Sequence, residues 1–596
     1  MADYIVGIDL GTTHCVLAYT EANPEGDPTP PRLLDLPQVV SAGQVQSRPL
    51  LPSFLLLPGP HDVPPGSLAL PWNGELDYAV GTFARERGAE LPARLVGSAK
   101  SWLSHAGVDR TAPILPWDAP DDARRASPVE AAQRYLEHLR DAWNHHMAVQ
   151  GQPTRLEDQT IFLTVPASFD PVARELTVQA ARAAGLQYLT LLEEPQAAFY
   201  AWIAAHPDTW RDAIEVGESI LVCDVGGGTT DFSLIEVVEE GGALDLRRVA
   251  VGRHILLGGD NMDLTLAYAL RAKLAQQGTN LDTWQFRGLA HQCRAAKERL
   301  LNTPDLDAEP ISILSRGSSL IGGTIRTELT RAEVEQVLVG GFFPQTEFHE
   351  HPQRKARVGV REMGLPYEAD PAITRHLAQF LSAQGDGVAF PSAVLFNGGV
   401  MKAEILRREI LQALRRWSGH PDLRELPPAD LDQAVALGGA TYGTARQGQG
   451  IRIKAGTART YYIGVESAMP AVPGVPTPIN ALCVVPFGME EGTDAQIRGK
   501  EFGLVVGEEA VFHLLASSTR KDDAPGEVVE DWSGEIEEVA TMETYLDAEV
   551  EGGTVLPVYL ESRVTEVGTL ELYCVARADD RRWRLAFNLR TEHGEG

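Results

Sequence analysis

One construction occurs twice in this chain. Asp9-Leu10-Gly11-Thr12-Thr13 near the start and Asp224-Val225-Gly226-Gly227-Gly228-Thr229-Thr230-Asp231 further on each stand at the turn between two apolar, β-branched runs. A fold for this sequence must therefore build the same strand, turn and strand twice. Either glycine-rich turn alone is weak evidence, because aspartate and glycine also serve simply as turn formers. The repeated context gives them weight. Glycines let backbone N–H groups approach phosphate oxygens, threonine hydroxyls add donors, and an aspartate at each strand end can hold a hydrated divalent cation. Two such hairpins facing each other would clamp a polyphosphate.

The rest of the chain supplies room for that clamp. A length of 596 residues exceeds one hydrophobic core, so several domains are expected. Helical periodicity over 128–148, 171–184, 262–277, 283–301 and 403–417 alternates with strands at 161–165, 219–237 and 393–396, as in an α/β domain. Pro166 ends the first of these strands. Beyond about 450 the pattern changes to short alternating strands, for example Trp583, Leu585, Phe587 and Leu589 interleaved with polar residues, which predicts a β domain of about 140 residues. The acidic stretch 521–538 reads as a solvated loop. With 52 basic against 82 acidic residues the net charge is −30, which would repel nucleic acid and anionic membranes, so a bound anion needs local donors. No leader-like segment and no apolar run of about 18 residues is present in the sequence, so a cytoplasmic protein is expected. The five cysteines are scattered without metal-ligand spacing and read as reduced core thiols.

The two loops resemble those of the actin, hexokinase and heat-shock ATPase superfamily, and within it the 70-kDa heat-shock chaperone family of the DnaK type. Further motifs arrive in that family's order: Val96-Gly97-Ser98-Ala99-Lys100, Leu191-Leu192-Glu193-Glu194-Pro195-Gln196-Ala197-Ala198, Leu257-Gly258-Gly259-Asp260-Asn261-Met262-Asp263, Phe396-Asn397-Gly398-Gly399-Val400, and Asp432 in Leu431-Asp432-Gln433-Ala434. The resemblance implies an α/β two-lobed actin-like ATPase domain of duplicated ribonuclease-H-like lobes, about 1–215 and 216–450, followed by a smaller C-terminal β domain, 451–596, that holds polypeptide. It implies ATP or ADP with Mg2+, and K+ as a further candidate cation. Asp9, Asp224 and Asp231 would organise the metal, largely through water. Gly11, Thr12, Thr13, Gly226, Gly227, Gly228 and Thr229 would hold the phosphates. Gly258, Gly259, Lys297, Gly398, Gly399 and Asp432 would complete the nucleotide site. Lys100, Glu194, Asp224 and Thr229 would carry catalysis, Glu194 by orienting the attacking water and Lys100 by neutralising charge on the transferred phosphoryl group. From the residues alone, Glu194 reads equally as a carboxylate capping the helix that Pro195 opens. Pro166 resembles the proline credited in that family with relaying nucleotide state between lobes. Implied partners are unfolded or extended polypeptides, a J-domain co-chaperone and a nucleotide exchange factor, in protein folding and stress response, with no nucleic acid and no membrane.

The departures from the family matter as much. Its adenosine-contacting helix keeps Lys297, but Arg294, Glu298 and Leu301 replace the usual residues, and His14 stands where an aromatic is usual. The segment 342–375 is a different excursion with a basic run at 354–361, the usual linker is replaced at 451–459, and the sequence given ends without a helical lid. Three rivals follow: a nucleotide-regulated scaffold with weak ATPase activity, a small-molecule kinase of the same fold, and an actin-like filament protein.

Overall fold

The apolar runs on either side of the first loop pair as an antiparallel hairpin, Tyr4–Leu10 with His14–Glu21, and the period-2 pattern is buried on both faces. The computed structural model describes residues 2–22, 29–152, 154–207, 209–240, 243–314, 324–353, 364–384, 390–427, 429–447, 456–468, 477–507, 509–532, 534–545, 554–565, 567–579 and 581–585. Thr160–Val165 lies parallel to Tyr4–Leu10, and Leu189–Glu193 lies parallel to Thr160–Val165 on its far side. The second loop sits in the same arrangement. Ser219–Val225 pairs antiparallel with Thr230–Glu240 and parallel with Ala393–Asn397, which is followed outward by Arg424–Glu425. In spatial order the two sheets repeat one topology, with each Asp-Gly loop at the same end of the equivalent central strand.

Helices cover these sheets where the sequence caps them. Ser127 accepts from Glu130 N at 3.0 Å to open Pro128–Val149, and Asp170 accepts from Ala173 N at 2.6 Å to open Pro171–Ala183. Gly259–Gln276 starts ahead of its predicted boundary, because Asn261 Oδ1 accepts from Gly258 N at 3.0 Å and closes the first turn. Trp143, fully buried, meets Tyr4 and Tyr19 edge-on in the first core. A second core lies around Leu221, Phe232 and Leu266, and a third joins the halves through Ile5, Phe199, Tyr200, Ile220 and Tyr442. The helices Glu194–Ala205 and Ala434–Arg446 cross in this third core. A Cβ on Gly438 would lie 1.7 Å from Ala197 O, so only glycine permits that crossing.

After Ala434–Arg446 the described residues form strands and no helix. Val528–Val529, Ile479–Val485, Thr460–Glu466, Glu509–Ser517 and Glu537–Tyr545 make one sheet in that spatial order; Asp494–Val506, Thr554–Val564, Leu570–Ala576 and Arg582–Leu585 make another. The sheets bury one shared core that includes Leu482, Leu514, Leu560 and Leu572. The acidic stretch is not uniformly solvated: Asp523 is buried, accepting from Tyr462 Oη at 2.7 Å and from Arg520, while Asp522, Glu530, Asp531 and Glu535 are exposed. In the 342–375 excursion, Phe342 and Phe343 enter the second core. The basic run 354–361, residues 451–455, Phe587 and Leu589 lie outside the described residues. All five cysteines are buried and unbridged. No helix among the described residues is long and apolar enough to cross a membrane.

Candidate functional site

Each loop is pinned by its own half of the chain before it meets the other. Ser53 Oγ donates to Gly11 O at 2.7 Å and Ser53 N to Thr13 O at 2.9 Å, fixing the first loop. The second closes on itself through Gly226 N to Thr229 O at 2.9 Å, and Thr230 Oγ1 donates to Leu257 O at 2.8 Å. The first amides of the Gly259–Gln276 helix donate to this loop, Gly259 N to Gly226 O at 3.0 Å and Asp260 N to Gly227 O at 2.7 Å. The two loops then face each other so closely that a Cβ on Gly227 would lie 2.0 Å from Thr13 Oγ1. Gly227 and Gly228, which a Cβ would drive into Thr13 and Thr12 of the first loop, are thus required first by loop-to-loop approach, whereas Gly226 is not.

Between the loops is a cavity of about 340 Å³, within the usual range for a small-molecule site. Asp9, Gly11, Thr12, Thr13, Lys100, Glu194, Asp224, Gly226, Gly227, Thr229, Gly259, Lys297, Gly398, Gly399 and Asp432 line it. Gly228, Gly258 and Asp231 do not. Gly228 packs against Thr12 and Ser101, and Gly258 beneath the carbonyls of Gly226 and Gly227. Asp231, directly across the second hairpin from Asp224, turns to Ser168.

The charges are arranged in a row. Lys100 Nζ donates to Glu194 Oε1, so Glu194 spends its carboxylate on an ion pair and no side-chain bond caps its helix. Burial alone would lower the Lys100 ammonium, but Glu194 and Asp9 more than offset it and hold it above its ordinary value. Asp9 and Asp224 have the opposite problem. Desolvation, with the nearby Glu194 charge, pushes both carboxyls far above the carboxylate range, although Lys100 partly offsets this at Asp9. Asn397 Nδ2 donates to Asp224 Oδ2 at 2.6 Å, while its own Oδ1 is buried without a partner. An acidic pair short of counter-charge beside an orphaned acceptor fits a hydrated divalent cation, whose charge and water donors supply what is missing. His14, at the cavity wall, is held neutral by burial, its pKa lowered to about 4.

The far end of the cavity is built by one face of the Thr283–Asn302 helix, where Arg294, Lys297, Glu298, Leu301 and Asn302 recur at helical spacing. Lys297 Nζ pairs with Asp263 Oδ1 at 2.6 Å and donates to Gly259 O at 3.3 Å. Arg294 is taken up by Asp260 and by Asp263 Oδ2, the latter at 2.9 Å. Across the cavity, Lys402 pairs with Asp432. Sequence reasoning assigned no role to Asn397, Asp260, Asp263 or Lys402. Only the immediate neighbourhood of Asn397 to Gly398 and of both aspartates to Gly259 could have flagged them.

Next to Glu194 lies a second network. Glu193 Oε1 accepts from Arg174 Nη2 at 2.7 Å, and Glu193 Oε2 pairs with the buried Arg248 of the second sheet. Arg248 Nη2 also donates to Gly456 O, where the β region begins among the described residues. Leu191 N donates to Val567 O at 3.0 Å and Lys521 Nζ to Val249 O at 2.8 Å, so the β region touches both halves.

The sequence profile of the family described as Hsp70 protein matches residues 128–347. The chain is 29% identical over 429 residues to the chaperone protein HscA homolog of Methylococcus capsulatus, covering 67% of this chain and 58% of that one. It is 28% identical over 450 residues to the HscA homolog of Bordetella pertussis, covering 73% and 57%. The chaperone protein HscA of Xenorhabdus nematophila is 29% identical over 270 residues, 44% of this chain and 37% of its own. The chain thus spans under three-fifths of the length of these relatives.

Proposed function

From the premise that this chain is a relative of the Hsp70 proteins, we propose that it is an ATP-dependent, chaperone-type ATPase. It binds Mg-ATP between its lobes, hydrolyses it, and lets nucleotide state set the hold of the β region, 451–596, on extended polypeptide. The observation that carries this reading is the pair of facing loops with Lys100 and Glu194 joined beside Asp9 and Asp224 in one cavity. Loop amides with Thr12, Thr13 and Thr229 hold the phosphates. Asp9 and Asp224 hold Mg2+ through its waters; when bound, the ion offsets phosphate charge, and K+ is a candidate companion. Asp231 supports Asp224 from behind. Glu194 orients the attacking water, held in place by Lys100, which also neutralises charge on the transferred phosphoryl group. Gly259, Gly398, Gly399, Lys297 and Asp432 complete the nucleotide site, with Gly228 and Gly258 shaping the loop. The network from Glu193 through Arg248 to Gly456 gives the β region a path to Glu194. J-domain proteins and exchange factors are the partners that this reading predicts.

The test is ATP turnover with and without an unfolded protein, on the wild type and on Glu194→Ala. Turnover stimulated by the unfolded protein and reduced by about a hundredfold in Glu194→Ala supports the reading. Unchanged turnover in Glu194→Ala sinks it. A nucleotide-regulated scaffold is the second reading, favoured by Arg294 being taken up by Asp260 and Asp263. It predicts nucleotide binding without stimulated turnover.

A further inference from the structure

Three side chains that the cavity leaves aside meet behind the second loop. Ser168 follows Pro166 by two positions, in the turn between Thr160–Val165 and Pro171–Ala183, and so belongs to the first half. Asp231 and His254 belong to the second half, on Thr230–Glu240 and just after Ala243–Val251. Ser168 Oγ bonds to Asp231 Oδ1 and lies 2.8 Å from His254 Nδ1. His254 Nδ1 is 3.7 Å from Asp231 Oδ1, its ring stands edge-on to Phe169 at 5.7 Å, and its Nε2 is buried without a hydrogen-bond partner.

Counting donors fixes the direction of this chain. An ionised carboxylate only accepts, so Ser168 gives its one proton to Asp231. Toward His254 the same hydroxyl can then only accept, so Nδ1 carries the proton of that bond. The relay runs from His254 Nδ1–H to Ser168 Oγ–H to Asp231. Serine, histidine and aspartate in contact suggest a nucleophilic triad, but a nucleophilic serine gives its proton to histidine, and this one does not.

We propose that this relay is a latch between the two halves at the floor of the cleft, with Ser168 a positioning residue that sets how fast the lobes part and nucleotide leaves. The proposal rests on the nucleotide reading above. Asp231 is anchored across the gap while its hairpin partner Asp224 lines the cavity, so the second hairpin cannot draw back from the first half without breaking the Ser168 bonds. Ala167, Val251 and Ala458 pack together alongside, one from each half and one from the β region, so a parting of the halves also disturbs the seat of that region.

The test uses the full chain and a fluorescently labelled ADP, comparing wild type, Ser168→Ala and Ser168→Thr. Ser168→Ala should release the label about tenfold faster, and Ser168→Thr, which keeps the hydroxyl, should stay within about twofold of wild type. A Ser168→Ala release rate equal to wild type overturns the latch. So does a Ser168→Thr rate equal to that of Ser168→Ala, which would mark packing rather than hydrogen bonding. Deuterium exchange without nucleotide provides a readout independent of the ATPase reading: backbone amides at 167–170 and 252–257 should exchange faster in Ser168→Ala than in wild type or Ser168→Thr. Equal exchange in wild type and Ser168→Ala also overturns the latch. If wild type binds no labelled ADP, the ATPase reading falls and the exchange comparison still decides the latch. Should Ser168→Ala fold poorly, His254→Leu removes one arm only and must give intermediate exchange; no change there overturns the proposal.

Discussion

Lys100 carries two tasks that a single substitution separates. It compensates Glu194 in the free protein, and in the proposed reaction it meets charge that builds up on the transferred group. Lys100→Met should lower turnover by about a hundredfold or more, measured by phosphate release, while ADP affinity changes by less than about tenfold, because the loop amides remain. Lys100→Arg keeps the charge but not the short reach, and should recover only part of that loss. His138 offers a second prediction at this scale, far from the cavity. It is buried, its Nε2 lies 3.0 Å from Pro37 O, and burial lowers its pKa to about 4. In the unfolded chain it titrates near about 6.5, so between these values the unfolded state binds the extra proton and stability falls as pH falls. The full effect approaches about 3 kcal/mol at the acid end of that window. Thermal melts from pH 7 to pH 4 should show this decline, and His138→Gln should remove its share of the slope.

At the scale of elements, the crossing of Glu194–Ala205 and Ala434–Arg446 sets how the proposed water-orienting residue is held. Gly438→Val has no room beside Ala197 O, so the helices must separate at a cost of about 1–3 kcal/mol or more. The expected result is a lower melting temperature together with reduced turnover, since Glu194 opens the displaced helix. Gly278→Val is the control, with nothing near its would-be Cβ but a positive φ of 83° that carries its own strain. It should destabilise without touching turnover per folded molecule. Both hairpins and the long helices were legible in the sequence because local signals mark them: apolar, β-branched runs end at an aspartate followed two residues later by glycine, and helical periodicity runs through 128–148 and 171–184. What was not legible joins residues distant in the chain. Glu193 with Arg248, and Ser168 with Asp231 and His254, carry no local spacing that pairs them. The reading of 521–538 as solvated missed Asp523 because its partner Tyr462 lies on a strand, 61 residues earlier in the chain. Among the cavity residues, the glycine and aspartate motifs were visible as repeats, whereas Lys402 became part of the site only when the fold brought it to Asp432.

For the molecule as a whole, the question is what keeps the β region against the two halves of the chain. Its described contacts divide between them: Val567 on Leu191 of the first sheet, Lys521 on Val249 of the second, and Gly456 on Arg248, which itself reaches across to Glu193. Arg248 is the one of these side chains that bonds to all three parts. Its charge is withdrawn from water, and burial, with the like charge of Arg174, lowers its pKa to about 9. Removing one partner of a buried pair ordinarily strands the other, at about 3–5 kcal/mol. Here Glu193 keeps Arg174 at 2.7 Å, so Arg248→Met should leave the two sheets folded and lose mainly the link to Gly456. A compact chain of this length has a radius of gyration of about 25 Å. Small-angle scattering should therefore show Arg248→Met larger than wild type by a few ångström as the β region leaves its seat. Stimulation of turnover by unfolded protein should fall in the same variant toward none, because the path from Gly456 to Glu193 is cut beside Glu194. An unchanged radius with stimulation intact would mean that the remaining contacts at Leu191 and Val249 hold and couple the β region without Arg248.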